Sequence, residues 1–344
     1  MALTRFDGYM AGVNIGGWIS QCRYNYEHHD SFIGADDFKK IADFGFDHVR
    51  LPLDYQVIEN DDAPGKYIER GFAYIDFALD ECKKNGLGLV IDLHHAPGYS
   101  FHTLDKNLLF TDEDMQNRFI AIWTAIASRY ISEGNNLVFE LLNEVVEKTS
   151  DPWNVLSTKT IAAIRAIDKT RVIIVGGNHY NSITAMKDLP NYNDANVVYN
   201  FHYYLPFVLT HQKGSWTHLK DLKTNVTYPA KGSLYEQADI ETGGSGKEYA
   251  ALDEVNQTHL EDLLKPALDF IAERKISRLY CGEYGVIDLA DVESRENWHK
   301  DFCELLVKYN IGRAVWSYKG MNFKMIERDG EKVSDALIKA VTFK

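Results

Sequence analysis

Residues 137–147, LVFELLNEVVE, run a strand-like apolar stretch into an amide followed by a carboxylate, Asn143 and Glu144. Every second side chain of a strand shares a face, so Val138, Glu140, Leu142 and Glu144 are expected on one side, two acids among apolar neighbours. An unpaired carboxylate is expensive to bury, so acids placed there ask for a partner or a proton. Glu144 also has a plainer reading as the start of a following helix, where an acid meets the amide dipoles of the first turn. Other apolar stretches carry polar residues of the same kind. Arg50 sits inside HVRLPLD, where an arginine needs an acid or a ligand, a structural salt bridge being the simpler account. His94 and His95 close GLGLVIDLHH, and adjacent histidines invite a metal. Neighbours on a strand point to opposite faces, however, and no HExxH partner occurs, so neither a metal site nor a cofactor is expected. Glu283 lies in SRLYCGEYGV, His202 and Tyr204 stand two apart in VVYNFHYY, and Trp316 lies in GRAVWSYKG.

The elements that must carry these residues alternate. Strand patterns at 10–15, 47–55, 86–98, 137–144, 171–178, 196–204, 277–286 and 312–320 are separated by helices or by a helix plus a loop. Pro52 is expected to limit the second strand. The helical stretch 67–85 places Phe72, Ile75, Leu79 and Cys82 on one face and stops at Gly86. The stretch 111–133 places Phe119, Ile122, Trp123, Ile126 and Tyr130 on another core-facing stripe. Further helices are expected at 36–44, 152–168, 260–274, 291–309 and 334–343. Residues 205–254, with HQKGSW and GGSGKE, show weak periodicity and few aliphatics, and loops that long are functional or disordered. Eight strands so separated predict an α/β fold, a single (β/α)8 TIM barrel spanning 1–344, with a long insertion after strand 6 at about 205–254. In such barrels the active site lies at the strands' C-terminal ends, where Arg50, His94, Asn143 with Glu144, His202 with Tyr204, Glu283 and Trp316 would converge.

Composition narrows the ligand. A formal net charge of −13 over 344 residues disfavours nucleic acid and anionic membrane as partners and suits a neutral ligand. Cys22, Cys82, Cys281 and Cys303 form no CxxC pair and read as buried free thiols. The N-terminal stretch shows neither a signal peptide nor an anchor, and no run reaches transmembrane length. A cytoplasmic protein or a mature secreted form is expected.

GVNIGGW, HVRLP, DLHHAPGY, FELLNE, NFHYY, YCGEYGV and AVWSYK together resemble, in order, the strand motifs of glycoside hydrolase family five, and within it those of the small clostridial endoglucanases. The resemblance implies that Glu144 is the acid/base and Glu283 the nucleophile. It also implies that Arg50, His94, Asn143, His202, Tyr204 and Trp316 complete the site, and that the Trp316–Ser317 peptide is cis. The chemistry suits the residues: retention at a glycosidic carbon needs an attacking carboxylate and a proton-donating acid roughly 5 Å apart. Arg50 near Glu283 would favour its charged form, Tyr204 would hold it in line, and its negative charge would raise the pKa of Glu144. Asn143 is suited to donate to a sugar 2-hydroxyl, and Trp316 offers a flat apolar face. Trp216, in the insertion, is either a second sugar platform or an anchor for its loop, and His95 either binds substrate or braces the loop after it. The expected activity is that of a monomeric, endo-acting, retaining β-glucanase on β-1,4 or mixed-linkage β-glucan polysaccharide or oligosaccharide. A β-1,3-glucanase and a β-mannanase are the alternatives within enzymes. A non-catalytic carbohydrate-binding barrel would not need both glutamates.

Overall fold

The computed structural model describes residues 3–327 and 330–344. Residues 1 and 2, part of the stretch read above for a leader, lie outside the described residues, as do 328 and 329. Alternation in sequence decides which side of each strand looks inward. In the second strand Val49, Leu51 and Leu53 join the large apolar cluster shared with the helices, whereas His48 and Arg50, also buried, make their contacts across the barrel interior. The strands are β1 (Gly12–Asn14), β2 (His48–Asp54), β3 (Gly88–His95), β4 (Leu137–Glu140), β5 (Ile173–Gly176), β6 (Val197–Tyr203), β7 (Leu279–Tyr284) and β8 (Gly312–Val315). All pair in parallel with their neighbours, and β8 returns to β1 to close the barrel.

Two layers fill the interior. Val90, Val138, Ile174, Val198, Tyr280 and Ala314 form a separate apolar cluster with Phe6, Tyr9 and Met10, which plugs the N-terminal end. Above it lies a polar layer of Asn14, Arg50, Asp92, Glu140 and Asn200, none of them solvent-exposed. The helices α1 (Ala35–Phe44), α2 (Glu69–Lys84), α3 (Glu113–Arg129), α4 (Asp151–Ile167), α5 (Gln257–Arg274), α6 (Val292–Lys308) and α7 (Asp335–Thr342) surround it. In α3, Phe119, Ile122, Trp123 and Ile126 are all buried, as the stripe requires. Each such side chain contributes about 1.5–3 kcal/mol, enough to fix a helix whose own propensity is marginal. Among the described residues no helix is long and apolar enough to cross a membrane.

Four expectations are corrected. β2 runs through Pro52 to Asp54, pairing Pro52 with Asp92. The side of β2 that Pro52 would serve faces β1, which has ended at Asn14, so the missing N–H forfeits no ladder bond. Arg50 O accepts from Ile15 N, and Asp54 N donates onward to Ile19 O, both at 3.0 Å. Between β5 and β6 the described residues hold a short turn and a 3-10 segment, Ile183–Asp188, in place of a full helix. Pro190 and the Asn- and Asp-rich residues after it suit a turn rather than a longer helix. Cys22 is only partly buried, although all four thiols are free. β4 stops at Glu140, and the next helix begins at Asp151, so Glu144 opens no helix.

Residues 205–254 are ordered rather than loop throughout. They hold helices Phe207–Thr210 and Gly232–Glu241, and the two-residue strand Ala230–Lys231 pairs with Glu254–Val255. Tyr228 ties the segment to α6, its N–H donating to Ser294 Oγ at 2.8 Å and its hydroxyl to Asp301 at 2.9 Å.

Candidate active site

The residues singled out by type meet at the C-terminal end of the barrel. Two bulges re-aim the side chains there. Leu53 pairs with Leu93 but Asp54 with His95, and Phe201 pairs with Cys281 but His202 with Glu283, so β3 and β7 each gain one residue. An extra residue reverses which face the following side chains take. By simple alternation Glu283 would follow Cys281 into the helix-facing core; the bulge at Gly282 brings it inward and sends Tyr284 to that core instead. Gly282 admits the approach, since its N–H donates to Asn200 Oδ1 at 2.8 Å and a Cβ there would lie 2.9 Å from Asn200 Nδ2.

Arg50 is the hub, and its five N–H bonds are all used. Nε and Nη2 fork onto Glu140 at 2.7 and 2.8 Å, Nη1 donates to Asn14 at 2.8 Å and to Glu283 at 2.9 Å, and Nη2 also donates to Asn143 at 2.9 Å. Asp92 lies 3.1 Å from Nη2. Arg50 thus has both the structural salt bridge and the functional acid that its position in β2 demanded. One guanidinium serves three buried carboxylates, and burial outweighs it: Asp92, Glu140 and Glu283 are each pushed up to about 7 by desolvation, against the lowering effect of Arg50. Tyr204 donates to Glu283 Oε2 at 2.9 Å and also favours its charged form.

Glu144 is raised well above the ordinary carboxylate range, by burial first and next by the charge of Glu283. Its Oε1 lies 2.9 Å from His202 Nδ1. Burial holds both His202 and His94 well below the ordinary imidazole range, so both rings are neutral. His94 Nδ1 is 2.7 Å from Asp92, its ring stacks parallel to Trp316 at 5.6 Å, and its Nε2 lies 3.4 Å from Asn143 Nδ2. The Trp316–Ser317 peptide is cis.

A cavity of 210 Å³ is lined by His94, Asn143, Glu144, Tyr204, Glu283 and Trp316, with His211 and Trp216 from the 205–254 segment and Phe323 on the far wall. Trp216 is 53 % exposed, its ring centroid 6.2 Å from His211 and 6.5 Å from Phe323, so the ring both borders the cavity and touches its wall. Gln21 and Met321 line this cavity and an adjoining one of 550 Å³, which prolongs the cleft past the β1 side. His95 does not line the central cavity. Its Nδ1 is bonded to Asp54 at 2.6 Å, its ring stacks on Phe101 at 4.8 Å, and it borders a neighbouring cavity instead.

Glu144, His202 and Glu283 each offer a donor atom, all within 4.8 Å of one another. A cation among them would meet the positive charge of Arg50, 2.9 Å from Glu283. The same three atoms suit proton transfer: a carboxyl group beside a neutral imidazole, and a carboxylate held by Arg50 and Tyr204. Sequence reasoning passed over Asp92, Asn14 and Asn200, and gave Glu140 no task. Asp92 had a legible signal, an acid two residues before His94 on an otherwise apolar strand; the two asparagines had none.

Residues 11–322 match the family described as Cellulase (glycosyl hydrolase family 5). The chain is 47 % identical over 337 residues to Endoglucanase C of Acetivibrio thermocellus, covering 96 % of this chain and 97 % of that one. It is 38 % identical over 313 residues to Cellodextrinase A of Ruminococcus flavefaciens, covering 90 % and 86 %. An endoglucanase structure from the hyperthermophilic Thermotoga maritima superposes with a TM-score of 0.80 at 26 % identity, over 97 % of both chains.

Proposed function

The chain belongs to glycosyl hydrolase family 5 and is an endoglucanase of that cellulase family, and from this premise we propose that it cleaves internal β-1,4 bonds with retention of configuration. Cellulose and mixed-linkage β-1,3-1,4 glucans such as lichenan are the substrates. The observation that carries the reading is the spacing of the two acids: a carboxylate oxygen of Glu144 lies within 4.8 Å of one of Glu283. Retaining glycosidases hold their carboxyl groups about 5–5.5 Å apart, whereas inverting ones leave roughly 6.5–9.5 Å for a water.

In the first step the Glu283 carboxylate attacks the anomeric carbon while the Glu144 carboxylic acid gives its proton to the departing oxygen. In the second, Glu144, now ionised, takes a proton from a water that attacks the same carbon, and the bond to Glu283 breaks. The surroundings support these roles: Arg50 and Tyr204 donate to Glu283 and favour its charged form, and that charge in turn raises the pKa of Glu144. As positive charge develops on the ring, the amide of Asn143, its Oδ1 already held by Arg50, keeps an N–H for the 2-hydroxyl. Trp316 supplies the apolar face for that sugar, and Trp216 a second platform for a neighbouring one. We take 1–344 as one monomeric catalytic domain in which 205–254 forms a side wall of the cleft.

Reducing-sugar release from carboxymethylcellulose, lichenan, laminarin and mannan, with the first product anomer followed by proton NMR, tests the proposal. Release from the first two substrates with an initial β anomer is expected. An α anomer would overturn retention, and preference for laminarin or mannan would overturn the linkage.

A further inference from the structure

After β5 the backbone makes a turn that L-residues avoid. His179 (φ 53, ψ 55), Tyr180 (φ 61, ψ 44) and Asn181 (φ 52) are successive non-glycine residues in the left-handed region. Such residues occur there singly as a rule, and a run persists only where the surroundings impose it. The imposing contacts lie on the chain immediately after Glu144. Asn178 Oδ1 accepts from Glu147 N and from His179 N, each at 2.8 Å; Asn178 Nδ2 donates to Glu147 O at 2.9 Å; and Tyr180 N donates to Val145 O at 3.0 Å. The turn delivers Asn181, fully buried, with its Nδ2 3.3 Å from Nε2 of His202. It lies over Gly176, where any Cβ would collide with the Asn181 amide.

We infer that Asn181 is a positioning residue for the acid/base: its side-chain N–H donates to Nε2 of His202 and so holds that imidazole in the tautomer whose Nδ1–H faces Glu144. The inference rests on the reading of Glu144 as acid/base. With Nδ2 turned to the ring the amide donates, so Nε2 presents a lone pair and a neutral ring carries its hydrogen on Nδ1; the reversed amide, whose Oδ1 otherwise lies buried without a partner, would call for the opposite tautomer. That hydrogen occupies Oε1 of Glu144, 2.9 Å away, and the catalytic proton is left to Oε2. In the opposite tautomer Nδ1 would accept the Glu144 proton in a hydrogen bond and hold it away from the leaving oxygen. The other groups about Glu144 are Glu283, Arg50 and Asp92, and the phenols of Tyr99, Tyr180 and Tyr204. Replacing Asn181 leaves all of them in place.

Long-range 15N–1H NMR of the histidine-labelled full chain reads the tautomer directly. A pyridine-type Nε2 and a pyrrole-type Nδ1 are expected for His202, and the reverse pattern overturns the inference. Asn181→Asp keeps size and tolerance of the left-handed backbone but turns the donor into an acceptor. With cellotetraose its kcat/KM is expected to fall about 10-fold, part of the roughly 10²–10⁴ that general acid catalysis supplies, and its alkaline limb to move to higher pH. With 2,4-dinitrophenyl β-cellobioside, whose leaving group needs no proton, the glycosylation rate should stay within about 2-fold, because that step bypasses the acid. Equal losses on both substrates, or an alkaline limb that stays put or moves down, would mean a merely structural role. Glu144→Ala run on the same two substrates separates the failures. If it harms both alike, the acid assignment is wrong; if it spares only the activated substrate while Asn181→Asp does not, the fault lies with Asn181.

Discussion

Arg50→Lys tests the hub most severely, because it keeps the charge and removes the fork. The guanidinium makes five hydrogen bonds to Asn14, Glu140, Asn143 and Glu283 at 2.7–2.9 Å. An ammonium has three hydrogens, so at least two of these contacts go unserved around a position that has itself no solvent access. Each buried polar group left unpaired costs about 1–3 kcal/mol, which totals roughly 2–6 kcal/mol and agrees with the ~3–5 kcal/mol lost when a buried ion pair is broken. Against a native stability of about 5–15 kcal/mol the variant should fold but melt at a lower urea concentration. Arg50→Met removes the charge as well. A unit charge about 4 Å from a carboxylate is worth roughly 4 kcal/mol at an effective dielectric of 20, or ~3 pKa units at most. Neutralisation of Asp92 and Glu140 in the same variant would absorb part of that. The acid limb of kcat/KM, which reports Glu283, should therefore move up by at least about 1 pH unit in Arg50→Met and much less in Arg50→Lys. Urea titration followed by circular dichroism, with pH profiles on an aryl cellobioside, measures both effects. A lysine variant within about 1 kcal/mol of the parent, or a methionine variant with an unmoved acid limb, would refute the hub.

Azide should separate the two glutamates: Glu283→Ala should give an α-glycosyl azide from a β-glycosyl fluoride donor by a single inversion, and Glu144→Ala a β-glycosyl azide by two, readable by NMR; the reversed outcome would exchange the roles. Glu144→Ala should also lose the alkaline limb of its pH profile. Trp216→Ala should leave urea stability within about 0.5 kcal/mol, since the ring is half exposed, while raising KM for cellopentaose roughly 2–10-fold with kcat little changed. Asp92 and Glu140, raised by burial from the ordinary 3.8 and 4.5 to about 7, keep protons in the folded chain that the unfolded chain has released. Unfolding free energy should thus fall as pH rises from about 4 to about 7 and then level, and the fall should be shallower in Asp92→Asn, as urea melts at stepped pH will show.

Much of this protein is local and therefore legible in one dimension. Period-two runs such as Val49, Leu51 and Leu53 and the stripe from Phe119 to Ile126 announce a barrel of strands wrapped by helices, because each element must bury one face whatever its partners are. Polar residues late in those strands, Arg50, Asn143, Glu144 and Glu283 among them, announce a site, because groups so costly to bury are kept there for one another. What alternation could not reach was decided by closure of the barrel. Glu283 has the parity of a core-facing residue and turns inward only because β7 carries an extra residue at Gly282, a bulge set by its pairing with β6. β4 ends at Glu140, so Asn143 and Glu144 are aimed by contacts to β2, β3 and β6 rather than by their own strand. The acidity of the carboxylates follows from the same cause: Asp92, Glu140 and Glu283 come from three different strands, and only when the ring closes do they find themselves buried around one shared arginine.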